Sequence, residues 1–175
     1  MTFPRRLHAM TRHPSGVKRL LRGIFAGLVG TAAMTAAQLA AARLRGRPLR
    51  TAVPQTWSEA PAPAQVVKKA ADAIGVGDRV TREDVPLLTN AMHWTYGTAL
   101  GIVCAVAADP LRRRPLVGGL AFGAGVWSAS YAQLVPLGIY EPPWRYPVGE
   151  LALDLGYHLV YGAAAANAYA GAARF

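Results

Sequence analysis

Charged residues vanish from four long stretches of this chain. None falls from Gly23 to Ala42, from Val85 to Ala108 or from Pro115 to Tyr140, and from Leu151 to Ala173 Asp154 stands alone. A helix needs roughly 20 mostly apolar residues to cross about 30 Å of hydrocarbon. The pattern predicts four spans, at 20–42, 87–107, 116–139 and 148–172. A buried helix of a soluble protein is the competing reading for any one of them, but four in 175 residues leave too little polar surface for it. The expected fold is all-α, a polytopic membrane four-helix bundle.

Small residues mark where such helices would meet. In the first span Gly23, Gly27, Thr31 and Thr35 recur every four residues, a stripe that lets another helix approach closely. The second span carries Gly97-x-x-x-Gly101 on the same face as His93, Tyr96 and Cys104, and the third carries Gly119-x-x-x-Gly123. These glycines are the expected helix-packing positions. Asp84 is placed to cap the second span, with Pro86 in its first turn. Asp109-Pro110 ends that span, and Pro136 kinks or ends the third.

Between the spans the chain is polar. Residues 1–19 form a basic amino-terminal segment, and residues 20–175 the membrane domain. The connection 43–86 opens on Arg43, Arg45, Arg47 and Arg50 and is kept extended by Pro54, Pro61 and Pro63. Within it Ala64 to Ile74 reads as a short amphipathic helix, with Val67, Ala70, Ala71 and Ile74 on one side and Gly75 as its cap. Such a helix would lie on the membrane surface, cover the bundle mouth or simply stand in solvent. In the last connection Tyr140, Trp144 and Tyr146 suit the headgroup layer. The basic amino-terminal flank and Arg112-Arg113-Arg114 argue for cytoplasmic termini and an outer long connection, against which the Arg43–Arg50 cluster stands. A secretory signal peptide with Ala40-Ala41-Ala42 as cleavage site is the rival for the first span. Its apolar stretch exceeds the usual core of about 7–15 residues, which favours retention.

The fourth span holds the chemistry. Glu150, Asp154, His158 and Tyr161 follow at spacings of four, four and three, roughly one face of a helix. Ionisable groups in a membrane-length segment are costly and normally face other helices, water or a partner. His93-Trp94-Thr95-Tyr96-Gly97 and His158-Leu159-Val160-Tyr161-Gly162 both read H-x-x-Y-G, and Ala37-Gln38-Leu39 matches Ala132-Gln133-Leu134. Two spans per unit make this a parallel repeat of helical hairpins about a pseudo-two-fold axis along the membrane normal, with His93 and His158 at related depths. The candidate polar face is thus His93, Tyr96, Glu150, Asp154, His158 and Tyr161. It supports three chemistries. One is a proton or cation path through groups that titrate near physiological pH when their environment shifts them. A second is a metal site, although no H-E-x-x-H or paired E-x-x-H motif is present. The preferred third is a structural network, also drawing on Gln38 and Gln133, in which each cross-bundle bond contributes roughly 0.6–2 kcal/mol.

Composition narrows the function. Charged residues make up 16% of the chain, against about 25% in soluble domains. The net charge of +10 comes from basic residues that flank the spans; no nucleic-acid motif accompanies them, and anionic headgroups are the apt counter-charge. Cys104 is the single cysteine, so no internal disulfide or cysteine-rich metal site is available. No G-x-S-x-G, phosphate-binding or dinucleotide glycine motif is present, so no catalytic residue, cofactor or metal is expected.

The runs His93 to Gly97, Gly123-x-x-x-Trp127, Pro136-Leu137-Gly138, Glu141-Pro142-Pro143-Trp144 and Glu150 to His158 resemble small four-helix membrane proteins of actinobacteria and, more distantly, the YagU-like bacterial inner-membrane proteins. Gly30 to Thr35 and Pro61-Ala62-Pro63-Ala64-Gln65 also fit the actinobacterial group, so the resemblance covers most of the chain after Leu20. It implies an inner-membrane location and four spans, and brings no activity. The expectation is a non-enzymatic accessory or scaffolding component of a bacterial cytoplasmic membrane. Its partners would be the bilayer and a membrane protein or second copy. The alternative is a small proton- or cation-coupled conduit using Asp154, His158 and His93, and the remote one a membrane-embedded metal-dependent enzyme.

Overall fold

The computed structural model describes residues 16–46, 53–106 and 114–174. The basic segment up to Ser15, Arg47 and Arg50, the Asp109-Pro110 stop and Arg112-Arg113 lie outside the described residues. Among the described residues five α-helices follow one another: α1 (Gly16–Leu44), α2 (Ala62–Ala73), α3 (Val85–Val106), α4 (Pro115–Leu134) and α5 (Val148–Ala172). No strand occurs among the described residues, so the fold is all-α.

Local chemistry sets the helix ends. α5 has the expected bounds, and α1 takes in Val17 to Arg22. α2 closes in a Schellman turn: the Gly75 N–H bonds to the Asp72 carbonyl at 3.1 Å and the Val76 N–H to the Ala71 carbonyl at 2.9 Å. That turn needs the left-handed φ of +76° that Gly75 supplies. Two expected ends are corrected. Asp84 does not cap α3 from in front. Its carboxylate turns back to accept from the Thr81 N–H at 2.9 Å and the Thr81 hydroxyl at 3.0 Å, so the start signal is Thr81-x-x-Asp84, one turn earlier. The carboxyl is held below the usual Asp range, first by that backbone bond and then by the hydroxyl. α4 stops at Leu134, not Ile139. Pro136 has no N–H to extend the ladder, and the N–H groups of Ile139 and Tyr140 return to the Leu134 carbonyl across Gly138, whose φ is +63°.

α1 is the central helix, packed against α3 on one side and α5 on the other; α4 lies against α5, and α2 against α3. Among the four long helices of this row, neighbours run antiparallel. Each long hairpin closes on glycine. A Cβ at Gly23 would stand 2.9 Å from Ile102 Cα, and one at Gly27 2.7 Å from the Gly97 oxygen. In the second hairpin a Cβ at Gly119 would meet the Gly162 oxygen at 2.5 Å, and one at Gly123 would meet Leu159 Cα at 3.0 Å. Gly97 faces Thr31, and Gly101 faces Gly23 and Gly27. All six expected packing glycines therefore sit at backbone-to-backbone contacts. The contact of α1 with α5 has no comparable counterpart between α3 and α4 among the described residues, so the row is open along that edge.

Small side chains predominate in the interior: Ala26, Thr31, Ala64, Cys104, Ala105, Ala165 and Ala166 are fully buried, and Tyr161 and Tyr169 are the large residues buried among them. Large aliphatic and aromatic residues point outward instead, among them Phe25, Leu28, Leu87, Val103, Val117 and Val160. Among the described residues one helix, α1, is both long and apolar enough to cross a membrane by length and composition.

Candidate functional site

Where α1 and α4 end and α3 and α5 begin, the helices part around a cavity of about 270 Å³. α1 contributes Met34 and Gln38, and α3 contributes Met92, His93 and Tyr96. α4 brings Ser130, Gln133 and Leu134, and α5 brings Asp154 and His158. Ala62, Pro63 and Val66 of α2 line the outer side. The short helix thus sits over the bundle mouth, held there because Ala60, Ala64 and Val85 form a small core with Trp57 and Leu88. Its buried residues are Ala64 and Ala71, whereas Ile74, placed on the apolar stripe from sequence, is exposed. Docking through alanines, not through the larger aliphatics, shifts the inner face.

A second space of about 70 Å³ shares Met34, His93, Tyr96 and His158 with the first and reaches down to Thr31, Gly97 and Tyr161. There it closes. Tyr161 is buried and donates its hydroxyl to the Gly97 carbonyl at 2.6 Å, tying α5 to α3 across α1. Below that level Cys104 and Ala166 are sealed under Phe122.

Asp154 is the pivot of the polar wall. One turn beyond the Gly123–His158 contact, antiparallel register brings Trp127 opposite Asp154, and the indole N–H donates to the carboxylate at 2.9 Å. His158 donates Nδ1–H to the main-chain oxygen of Asp154 at 2.8 Å, with the same nitrogen 3.8 Å from the Asp154 carboxylate. His93 pairs through Nε2 with the Thr35 hydroxyl at 3.2 Å. Tyr131 stacks at 5.1 Å on both Trp127 and Tyr140 and meets Tyr146 edge-on at 6.1 Å. Of the connection's aromatic residues only Trp144 stands free, 82% exposed; Tyr140 and Tyr146 turn inward. Burial, and then the Asp154 charge, push the Tyr140 hydroxyl well above the usual tyrosine range, so it stays a neutral donor at ordinary pH.

Of the six residues of the expected polar face, His93, Tyr96, Asp154 and His158 line one cavity, and Tyr161 forms its floor. Glu150 does not join them; it is exposed in the first turn of α5. Trp127 and the α2 residues were not singled out for this site from sequence. Trp127 was readable only through the register of the α4–α5 hairpin, set by Gly123. Among the described residues no group of three or more His, Cys, Asp and Glu could hold a metal ion, which leaves the metal reading without a ligand set. No family model, curated protein or solved structure matches the chain.

Proposed function

We propose that this chain is a four-span bundle of a bacterial cytoplasmic membrane, built as two repeated glycine-paired hairpins. It serves as a non-enzymatic accessory component that presents a blind, polar-lined vestibule at one end. The observation that carries this reading is the inverted packing. Glycine, alanine and threonine make most of the close helix contacts, with Tyr161 and Tyr169 buried beside them, while Phe25, Leu28, Leu87, Val103 and Val160 face outward. Water penalises that arrangement, since contiguous exposed apolar surface is rare on soluble proteins, whereas lipid accepts large side chains and rewards close backbone approach. The central place of α1, which touches both α3 and α5, argues that the first apolar segment is retained in the folded protein. The resemblance to small actinobacterial and YagU-like membrane proteins belongs to the same reading. With the basic amino-terminal flank inside, both termini are cytoplasmic and the vestibule opens outward.

Reporter fusions after residues 15, 50, 111 and 145, with alkaline extraction of membranes, test it. Four alternating locations with the protein retained in the membrane fraction are expected. Release by alkali, or one location for the last three fusions, overturns the four-span reading. The alternative is a proton or cation conduit, favoured by the sharing of one cavity by His93, Asp154 and His158. The Tyr161–Gly97 floor and the alanine-lined level beneath it speak for no flux. Potential-driven proton flux into liposomes, abolished in folded Asp154→Asn and His158→Gln, would instead establish the conduit.

A further inference from the structure

Several donors around the vestibule are spent inward. Trp127 gives its N–H to Asp154, His158 gives Nδ1–H to the Asp154 main-chain oxygen, and Gln133 gives an Nε2 hydrogen to the Ala129 carbonyl at 3.0 Å. Ser130 donates to the Val126 carbonyl at 3.0 Å, and Tyr161 to the Gly97 carbonyl. What these groups leave toward the space is acceptor capacity: the remaining lone pairs of the Asp154 carboxylate, Oε1 of Gln133 and the Ser130 oxygen. Gln38, Tyr96 and Tyr140 add neutral polar groups to the same wall. No Lys or Arg is among the described lining residues, and Asp154 is the single carboxylate. The rings of Tyr96 and Tyr140 border the same space, and aromatic faces attract cations. Met34, Met92 and Leu134 provide an apolar side. The volume matches about nine waters in the liquid, and a cavity of about 150 Å³ already holds a benzene ring.

We propose that this vestibule is a binding site for a small primary alkylammonium ion. Its nitrogen sits against Asp154 and its short hydrocarbon body lies between Met34, Met92 and Leu134. An ammonium brings three donors and no acceptor, the complement of the Asp154 carboxylate and the Gln133 and Ser130 oxygens beside it. An anion would meet Asp154 with no basic side chain to offset it. The inference rests on the vestibule being blind, and so a receptor site, but not on how the chain crosses the bilayer.

Calorimetric titration of the full chain in detergent tests it, with n-butylammonium, n-butanol and butyrate as probes. Butylammonium is expected to bind saturably at one site, roughly tenfold or more tighter than butanol, the scale of a charge-assisted hydrogen bond. Butyrate is expected not to bind. Asp154→Asn should weaken butylammonium by roughly tenfold or more and leave butanol unchanged. Val66→Trp, which fills the space from α2 without touching the Asp154 bonds, should abolish binding of both, and it decides the matter if Asp154→Asn does not fold. The proposal is overturned if butylammonium fails to bind, if butanol binds as tightly, or if both folded variants keep the parent affinity. Absent binding leaves the four-span reading standing, and failure of the topology experiment leaves a positive titration standing.

Discussion

Replacing Gly27 by alanine probes the contact on which the first hairpin depends. A Cβ there would stand 2.7 Å from both the Gly97 oxygen and Thr98 Cα. Carbon contacts relax to about 3.5–4.0 Å, so α1 and α3 must part by about 1 Å. Overpacking of this kind costs about 1–3 kcal/mol. The same displacement moves the Gly97 carbonyl away from the Tyr161 hydroxyl, now 2.6 Å distant, and puts a further bond worth roughly 1 kcal/mol at risk. The expected loss is about 2–4 kcal/mol. Gly125 is the internal control. It lies on α4 with nothing within 4 Å of an added Cβ, so Gly125→Ala should be neutral or slightly stabilising. The sole cysteine is a built-in reporter: Cys104 is fully buried one turn from Gly101, and maleimide labelling in detergent reads how often the hairpin opens. Gly27→Ala should speed labelling and lower the unfolding midpoint in denaturing detergent, while Gly125→Ala does neither. Equal labelling rates and midpoints for the two variants would refute the backbone contact.

Trp127→Phe keeps the ring against Tyr131 but removes the donor to Asp154; a loss of about 1–2 kcal/mol is expected in the same unfolding assay, and an unchanged midpoint would show the bond contributes nothing. Gly75→Ala forces a side chain into the left-handed region and should cost about 1–2 kcal/mol, read as faster proteolysis of the α2 C-terminus at an unchanged midpoint for the bundle. Asp84 has its carboxyl pKa lowered in the fold, so its contribution is present above the ordinary Asp value of about 3.9 and is lost as pH falls through the lowered one. An NMR titration of the Thr81 amide should therefore have its midpoint below that of a free Asp and lose it in Asp84→Asn; a midpoint at or above the ordinary value would count against the turn-back bond.

What could be read from sequence was what depends on one helix at a time. The glycine stripes encode backbone approach directly, since nothing but a missing Cβ permits it, and all six positions lie at such contacts. The bounds of α5 follow from Pro147 and the apolar run after it. Periodicity gives the direction in which a residue points, but not whether it is covered. Glu150 and Asp154 share a face, yet Glu150 is exposed and takes no part in the cavity wall. The Trp127–Asp154 bond required the register of two helices, and the inner face of α2 required knowing that it docks on Val85 and Leu88. In the two H-x-x-Y-G runs Gly97 and Gly162 both sit at hairpin contacts, while His93 and His158 take different partners, Thr35 and the Asp154 backbone.

The position of α1 also carries a consequence for biosynthesis. Among the described helices α1 is translated before the surfaces it packs against: α3 covers Gly23 and Gly27, and α5 brings Tyr161 and Ala165 to Gly30. Until translation has passed Ala165 this helix waits with glycine faces bare. It is α5 that supplies the Tyr161–Gly97 tie. Chains arrested before that point would display an unfilled glycine groove, a signal of incomplete assembly.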